Sequence, residues 1–252
     1  MRRVELLGVE NLPEVRIGDN LPAMIEEGVR KSGLDLRDGD IVVVSQKIVS
    51  KAEGRVFQAA DLSARPLARL FAAENQRTPE QVELVLREAR RVVRMEPERG
   101  ILIVETRNGF VCANAGIDQS NVGRGEVYTA LPADPDASAR GLRNHLQKAF
   151  AARMGVIVSD SFGRPWRQGS TDVAIGVAGL SPLRDYRGLR DPHGYELRST
   201  VVALADEVAA AADLAKGKLD KVPVAIVRGV EFRVEEGSIR EAIRPDGEDL
   251  FR

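Results

Sequence analysis

Short apolar runs rich in Val and Ile recur along the chain, separated by polar segments that contain glycine. Runs of this kind are typical of buried strands. They predict strands over residues 4–9, 41–54, 101–105, 110–113, 155–160, 172–179 and 222–230. Between the third and fourth of these runs lies Arg107-Asn108-Gly109, and Asn-Gly between apolar runs predicts a β-hairpin.

Other segments place apolar residues every three or four positions, which predicts amphipathic helices. One helix is expected up to Lys31, capped at its start by Asp19 or Asn20. The segment Thr78–Gln81 has a capping-box pattern with Pro at the first helical position, so a second helix should follow it. Two further helices are predicted over residues 137–153 and 199–215.

The order of these elements sets the expected fold class. Strands and helices alternate irregularly and a hairpin is present, which predicts an α+β fold with mixed sheets. No linker or internal repeat divides the chain, so we expect a single module over residues 1–252. The acidic segment from Glu235 onward is expected to be a surface extension.

Composition narrows the function classes. The 252 residues are 43% hydrophobic and 30% charged, with a formal net charge of -1, so no global field would recruit nucleic acid or a membrane surface. The single cysteine, Cys112, excludes an intramolecular disulfide and is expected to be a buried structural thiol. No apolar run of membrane-spanning length or signal-peptide pattern is present, which predicts a cytosolic protein.

Candidate chemistry lies where three predicted strands run into polar loops, at residues 45–51, 114–121 and 159–169. Asp118 and Asp160 could meet there, and carboxylates with neighbouring hydroxyls suit Mg²⁺ or Mn²⁺, metals that usually act on phosphates. Arg164 follows Asp160 and is a candidate partner for phosphate or carboxylate oxygens. The local chemistry alone leaves a second interpretation open, in which both acids only cap turns or helices.

Several familiar nucleotide and nucleophile motifs are missing. The sequence contains no G-x-x-x-x-G-K-[ST] loop, no dinucleotide fingerprint after a strand and no G-x-S-x-G elbow. One cysteine and the two distant histidines, His145 and His193, do not favour a nucleophilic triad. A nucleotide site in this chain would therefore need another architecture.

Six stretches together resemble a known family over nearly the whole chain. They read "VENLPEVRIGDNL", "VVVSQKIVSKAEGR", "CANAGIDQSNVG", "LPADPDASA", "GVIVSDSFGRPWRQGSTDVAIG" and "VPVAIVRGV". In this order and spacing they resemble the coenzyme F420-0:L-glutamate ligases, the γ-glutamyl ligases of coenzyme F420.

The resemblance implies an intertwined, two-lobed fold and a homodimer. It implies a GTP-dependent ligase that adds one or more L-glutamates to coenzyme F420-0 through an acyl phosphate, releasing GDP and phosphate. It also implies Mg²⁺ or Mn²⁺, with stimulation by K⁺. The chain is similar to the ligase half of fused enzymes that add a flavin-binding reductase-like domain, so we expect ligase chemistry alone.

The resemblance also assigns roles to individual positions. It implies that Asp118 and Asp160 hold the first cation and that Ser161 helps to hold a second. Nucleotide contacts are implied for Asn11, Leu12, Pro13, Glu14, Ser45, Gln46, Lys51, Asn121, Lys216, Gly217 and Lys218. With Arg164, the two aspartates form the expected catalytic set.

Two positions depart from the family pattern. Asn11 stands where members often have glycine, and Lys218 stands where many have an acid or amide that can hold the second metal. A protonated lysine does not ligate a cation, so Lys218 leaves the second metal open and could contact phosphate instead. Two other functions remain possible: ligation of a dehydro or phosphoglyceryl form of the precursor, and nucleotide or precursor binding without catalysis.

Overall fold

Twelve strands and six α-helices are present in the residues that the computed structural model describes, which are 3–74, 77–119 and 126–249. The strands are β1 (Glu5–Gly8), β2 (Ile41–Ser45), β3 (Val56–Gln58), β4 (Ala89–Glu96), β5 (Ile101–Thr106), β6 (Val111–Ala113), β7 (Val127–Thr129), β8 (Gly155–Arg164), β9 (Arg167–Ala178), β10 (Arg184–Asp185), β11 (Val201–Val202) and β12 (Val224–Arg228). The helices are α1 (Leu21–Lys31), α2 (Gln46–Ala52), α3 (Pro66–Ala73), α4 (Pro79–Glu88), α5 (Pro135–Phe150) and α6 (Leu204–Lys216). The fold is α+β, as the sequence predicts.

A five-stranded mixed sheet positions the candidate site. Its order is β1-β12-β2-β8-β9, with β2 and β8 parallel and the other neighbours antiparallel. The carboxyl ends of β1 and β2 therefore lie at the same edge as the amino end of β12. Strand β8 extends beyond that edge, because it continues past Ser159, the residue opposite the last residue of β2. Polar loops that follow these strands are brought together there.

The core of this sheet explains why β2 reads as an unbroken apolar run. Ile41, Val42, Val43 and Val44 are all fully buried. Because successive side chains of a strand point to opposite faces, both faces of the sheet must be covered. Helices α5 and α6 both pack against its strands.

A second, smaller unit carries its own sheet and core. Strands β4, β5 and β6 form a three-stranded antiparallel sheet. Its buried apolar residues, including Phe71, Val82 and Val104, form a cluster with α3 and α4. Phe110 joins this unit to the larger sheet, because its ring meets that of Phe162 edge-on at 6.2 Å between centroids. The hairpin predicted around Asn108-Gly109 is confirmed as the β5–β6 connection.

The helix starts follow their predicted caps. The side chain of Asn20 accepts a hydrogen bond from the Ala23 backbone at the start of α1. Thr78 does the same for Gln81 at the start of α4, which confirms the predicted cap. Each of these caps satisfies a backbone N–H that the helix itself leaves without a partner.

The strand predicted over residues 41–54 is wrong in its second half. The strand ends at Ser45, and Gln46–Ala52 forms α2. β-branched residues favour a strand locally, but here Ile48 and Val49 belong to a helix and their side chains are buried from it. Tertiary packing therefore outweighs local propensity.

Two further boundaries differ from prediction. Residues 159–169 are not a loop, since β8 and β9 form one long hairpin through them. The last helix begins at Leu204 instead of residue 199, because Val201–Val202 pair as β11 with β10.

The segment after Glu235 is not merely a surface extension. Ile239 is 4% exposed and belongs to the main core. Its backbone N–H and the Ser238 hydroxyl both donate to the buried carboxylate of Asp136. This mostly acidic segment is therefore attached to the protein by one buried apolar residue, Ile239. No helix in the part of the chain described is both long and apolar enough to cross a membrane.

Candidate active site

Four predicted site segments meet at one edge of the five-stranded sheet. Backbone hydrogen bonds tie them together, from Val9 to Val224 and from Ser45 to Pro223, each 2.8 Å long. Ser45 of β2 lies opposite Ser159 of β8 in the parallel register. The first loop, the start of α2, the middle of β8 and the loop before β12 are therefore neighbours.

Asp118 comes from the smaller unit and is held by its backbone. It forms an isolated bridge with Thr129, with reciprocal N–H to carbonyl hydrogen bonds of 3.0 and 2.8 Å. One carboxylate oxygen accepts from the Lys47 ammonium at 2.5 Å. Lys47 lies in the first turn of α2, so this ion pair links the two units at the site.

Asp160 lies on β8 with its carboxyl group in a buried, negatively charged setting. Burial, together with the charges of Asp172 and Asp118, raises its pKa to about 7, although the Ser161 backbone N–H and Lys47 oppose the rise. Asp118 pairs with Thr129 of β7 and Asp160 lies in the five-stranded sheet, yet the two carboxylates are close enough to interact. Crowded carboxylates of this kind are stabilised by a bound cation.

Asp172 forms a second acidic centre on β9. It lies opposite Ser161 in the β8–β9 register and accepts hydrogen bonds from Ser159 at 2.9 Å and Ser161 at 2.6 Å. Burial raises its pKa, but the adjacent Lys216 ammonium and the hydroxyl groups of Ser161 and Ser159 together outweigh burial, so that the pKa lies below its usual value. Asp172 is therefore a fixed anion inside the protein.

Lys216 at the end of α6 is the cation that balances Asp172. Its side chain is 2% exposed, and its ammonium donates to Asp172 at 2.6 Å and Ser159 at 2.8 Å. A third, longer contact of 3.4 Å reaches Ser45. Because this ammonium points inward, a nucleotide contact at this position would come from the backbone of the turn.

Lys218 approaches the same centre from the solvent side. Its ammonium donates to the Ser161 hydroxyl at 2.5 Å and lies 3.5 and 3.6 Å from carboxylate oxygens of Asp213 and Asp172. Gly217, between the two lysines, has φ +62° and ψ 176°, a backbone conformation that residues with a side chain rarely adopt, and a Cβ there would also displace the Asp220 carboxylate. The turn therefore depends on glycine at this position.

The predicted nucleotide segment after β1 is anchored at its start. Leu12 packs against the core, and its side chain lies so close to Gly28 of α1 that a Cβ there would clash. Asn11 adopts a left-handed φ of 61°, while Pro13 and Glu14 are exposed. Glu14 accepts from the largely buried Lys51 at 2.5 Å.

The other predicted contacts are placed less uniformly. Gln46 is buried and accepts from the Ser50 hydroxyl at 2.8 Å, so its side chain supports α2. Arg164 lies at the exposed end of the β8–β9 hairpin and donates to the carbonyl of Gln168 at 2.6 Å. Asn121 lies outside the described residues.

Cys112 is buried on β6, as expected. Burial raises the pKa of its thiol to about 12, with a contribution from the Asp160 charge. A thiol that stays protonated is not a nucleophile, so Cys112 serves packing.

The sequence did not single out Lys47 or Asp172. Lys47 stands directly after two predicted contacts, Ser45 and Gln46, but the strand predicted there concealed its place on a helix. Asp172 could have been noticed as an acid at the start of the apolar run "VAIGVA", where a buried charge needs a partner.

The arrangement partly fits a divalent cation. Asp118 and Asp160 offer the hard oxygen ligands that Mg²⁺ and Mn²⁺ prefer, and burial first, then the nearby carboxylates of Asp172 and Asp118, raise the pKa of Asp160. In the described ranges, no group of three or more His, Cys, Asp or Glu side chains is arranged to hold a metal ion. The Ser161 hydroxyl oxygen already accepts a hydrogen bond from the Lys218 ammonium. The donor set therefore suits a cation between Asp118 and Asp160 but not one at Ser161.

Comparison with known proteins gives a consistent result. Residues 10–229 match the family model described as F420-0:Gamma-glutamyl ligase. A protein of Methanothermobacter thermautotrophicus named coenzyme F420:L-glutamate ligase is 43% identical over 252 residues, which cover 99% of each chain. Proteins of the same name from Methanocaldococcus jannaschii and Methanopyrus kandleri are 39% and 41% identical, covering 98% and 97% of their own lengths. The chain belongs to the F420-0:gamma-glutamyl ligase family.

Proposed function

We propose that this protein is a GTP-dependent ligase that joins L-glutamate to coenzyme F420-0 and releases GDP and phosphate. The observation that carries the proposal is the meeting of Asp118 and Asp160 at a sheet edge that also gathers the predicted nucleotide segments. Full-length similarity to proteins named coenzyme F420:L-glutamate ligase supports the substrate pair.

The reaction needs an activated carboxyl group, because a carboxylate is a poor electrophile. An oxygen of the F420-0 carboxylate bonds to the γ-phosphorus of GTP as the bond from that phosphorus to GDP breaks. The amine nitrogen of glutamate then bonds to the acyl carbon and loses a proton to solvent, while the carbon–oxygen bond to phosphate breaks. The protein mainly has to align these groups and balance their charge.

Asp118 and Asp160 would hold the divalent cation, Mg²⁺ or Mn²⁺. When bound, such a cation neutralises phosphate charge and orients the phosphoryl group. Without a bound cation, the Lys47 ammonium pairs with the Asp118 carboxylate. When a cation takes its place, Lys47 would turn toward the phosphates. Asp172 and Lys216 keep Ser159 and Ser161 fixed behind this centre.

Residues 11–14, the Ser45–Lys51 turn and helix, Asn121 and the Gly217 turn would surround the nucleotide. Lys51 is the strongest candidate for a direct phosphate contact, since its ammonium is held at the site by an exposed carboxylate, Glu14, that can move away. Arg164 would meet the acidic groups of F420-0 or glutamate. A homodimer and stimulation by K⁺ belong to the same proposal.

The proposal is tested by incubating the protein with F420-0, GTP, L-glutamate and Mn²⁺ and following products by mass spectrometry. We expect F420 species lengthened by glutamate, with GDP formed only when all three substrates are present. ATP in place of GTP is expected to give little product. Binding of GTP and F420-0 without any new product would favour the non-catalytic alternative, and faster turnover of a dehydro or phosphoglyceryl precursor would reassign the substrate.

A further inference from the structure

The ammonium of Lys218 lies among three oxygen-bearing side chains. It donates to the Ser161 hydroxyl at 2.5 Å and lies within 3.6 Å of carboxylate oxygens from Asp213 and Asp172. Oxygen atoms gathered from a strand, its hairpin partner and a helix form the kind of setting in which a hard cation binds. In this chain a side-chain ammonium lies there.

The hydrogen bonds of Ser161 make this ammonium hard to replace by a free ion. The Ser161 hydroxyl donates a hydrogen bond to Asp172 at 2.6 Å. Its oxygen can then only act as an acceptor, and it accepts a hydrogen bond from Lys218. A second ammonium, that of Lys216, binds the other oxygen of Asp172 at 2.6 Å. A divalent ion at Ser161 would therefore be close to two positive charges and repelled by both.

The balance of charge divides the site in two. On the Ser161 side, Asp172 and Asp213 are matched by Lys216 and Lys218. On the other side, the Asp118 carboxylate pairs with the Lys47 ammonium, and the Asp160 carboxylate is close enough to interact with both. A divalent cation that displaced Lys47 from Asp118 would balance the two carboxylates of this second group, whereas the two carboxylates of the first group are already matched by two lysines.

We propose that Lys218 is a tethered cation that fills the position beside Ser161, so that the protein binds a single divalent ion, between Asp118 and Asp160. This rests on the proposed function for the role of that ion, and it assigns to Lys218 the charge that would otherwise come from a second, exchangeable metal. Its position at the solvent side of the centre lets the same ammonium face a bound phosphate.

The number of bound ions tests this directly. Purified protein is titrated with Mn²⁺ alone, and free Mn²⁺ is measured by electron paramagnetic resonance. We expect one bound ion per chain in the unmodified protein and two in Lys218→Asp, which replaces the ammonium by a ligand. Lys148→Asp makes the same charge change on the exposed face of α5 and should leave the number at one.

Lys218→Gln removes the charge with a neutral side chain and should also gain a second, weaker ion, which keeps the test decisive if the Asp variant folds poorly. Two ions in the unmodified protein, or one ion in both Lys218 variants, would overturn this inference and leave the proposed ligase intact. No bound ion in the unmodified protein would instead overturn the cation site of the proposed function.

Discussion

The ammonium of Lys47 lies 2.5 Å from a carboxylate oxygen of Asp118, one of the two acids proposed to hold a divalent cation. The pair is partly exposed, with 22% of the Lys47 side chain and 39% of the Asp118 side chain accessible. Lys47 would therefore compete with the proposed metal ion for the same carboxylate, and replacing Lys47 should change the affinity for that ion even without substrates.

Replacing Lys47 with Met should tighten Mn²⁺ binding in the absence of nucleotide. A partly exposed ion pair contributes roughly 0.2–1 kcal/mol, which corresponds to an affinity gain of up to about 5-fold. Calorimetric titration with Mn²⁺ measures the change, and Lys148→Met is the matched control on a remote surface. Weaker Mn²⁺ binding in Lys47→Met would show that Asp118 does not bind the ion in competition with Lys47.

Asp160 should make the stability of the metal-free protein depend on pH. Its pKa is about 7 in the folded state and about 3.9 in an unfolded chain, so the folded state holds the extra proton between these values. Its contribution to the free energy of unfolding therefore falls as pH rises from about 4 to about 7, and is constant above. Chemical denaturation in the presence of a chelator should show this fall.

Asp160→Asn should remove this part of the fall, because the amide does not titrate, and the variant should be at least as stable as the parent at pH 8. Glu235→Gln, an exposed position, serves as the control. Identical pH profiles for the parent and Asp160→Asn would contradict the buried, charge-crowded setting of Asp160.

Lys216→Met should destabilise the protein by about 3–5 kcal/mol, because it leaves the Asp172 carboxylate buried without its main partner. Exchanging both residues, in Lys216→Met with Asp172→Leu, should recover much of that loss. Urea denaturation of the single and double variants gives both values. Equal losses in the two would mean that the ion pair is not the cause.

Lys51→Met should weaken GTP binding. A hydrogen bond to a charged group contributes about 1.5–3 kcal/mol, so the dissociation constant should rise roughly 10- to 100-fold. Lys31→Met, at an exposed position in the last turn of α1, is the control for loss of a lysine. Unchanged GTP affinity in Lys51→Met would remove this residue from the nucleotide site.

The sequence predicted the parts of the fold that depend on local signals. The Asn20 and Thr78 caps and the Asn108-Gly109 hairpin turn are in place because their hydrogen bonds and backbone angles involve neighbouring residues only. It did not predict α2, where the β-branched pair Ile48–Val49 favours a strand and only packing in three dimensions selects a helix.

The sequence predicted which acids belong to the site, but not which lysine side chains pair with them. Asp118 and Asp160 follow or lie in recognisable apolar runs, so their chemistry was visible in the sequence. Asp172 meets Lys216 across 44 residues and Lys47 meets Asp118 across 71. Such partners depend on strand order and register, which a single sequence does not specify.

The most direct test of the account follows the oxygen atoms of the F420-0 carboxylate. When that carboxylate carries a heavy oxygen isotope and reacts with GTP and L-glutamate, formation of an acyl phosphate moves one labelled oxygen into the released phosphate. We predict one labelled oxygen in phosphate for the first glutamate added to each F420-0, measured by mass spectrometry, and none released by Asp160→Asn. Glutamate addition with unlabelled phosphate would contradict the acyl-phosphate ligase proposed for this site.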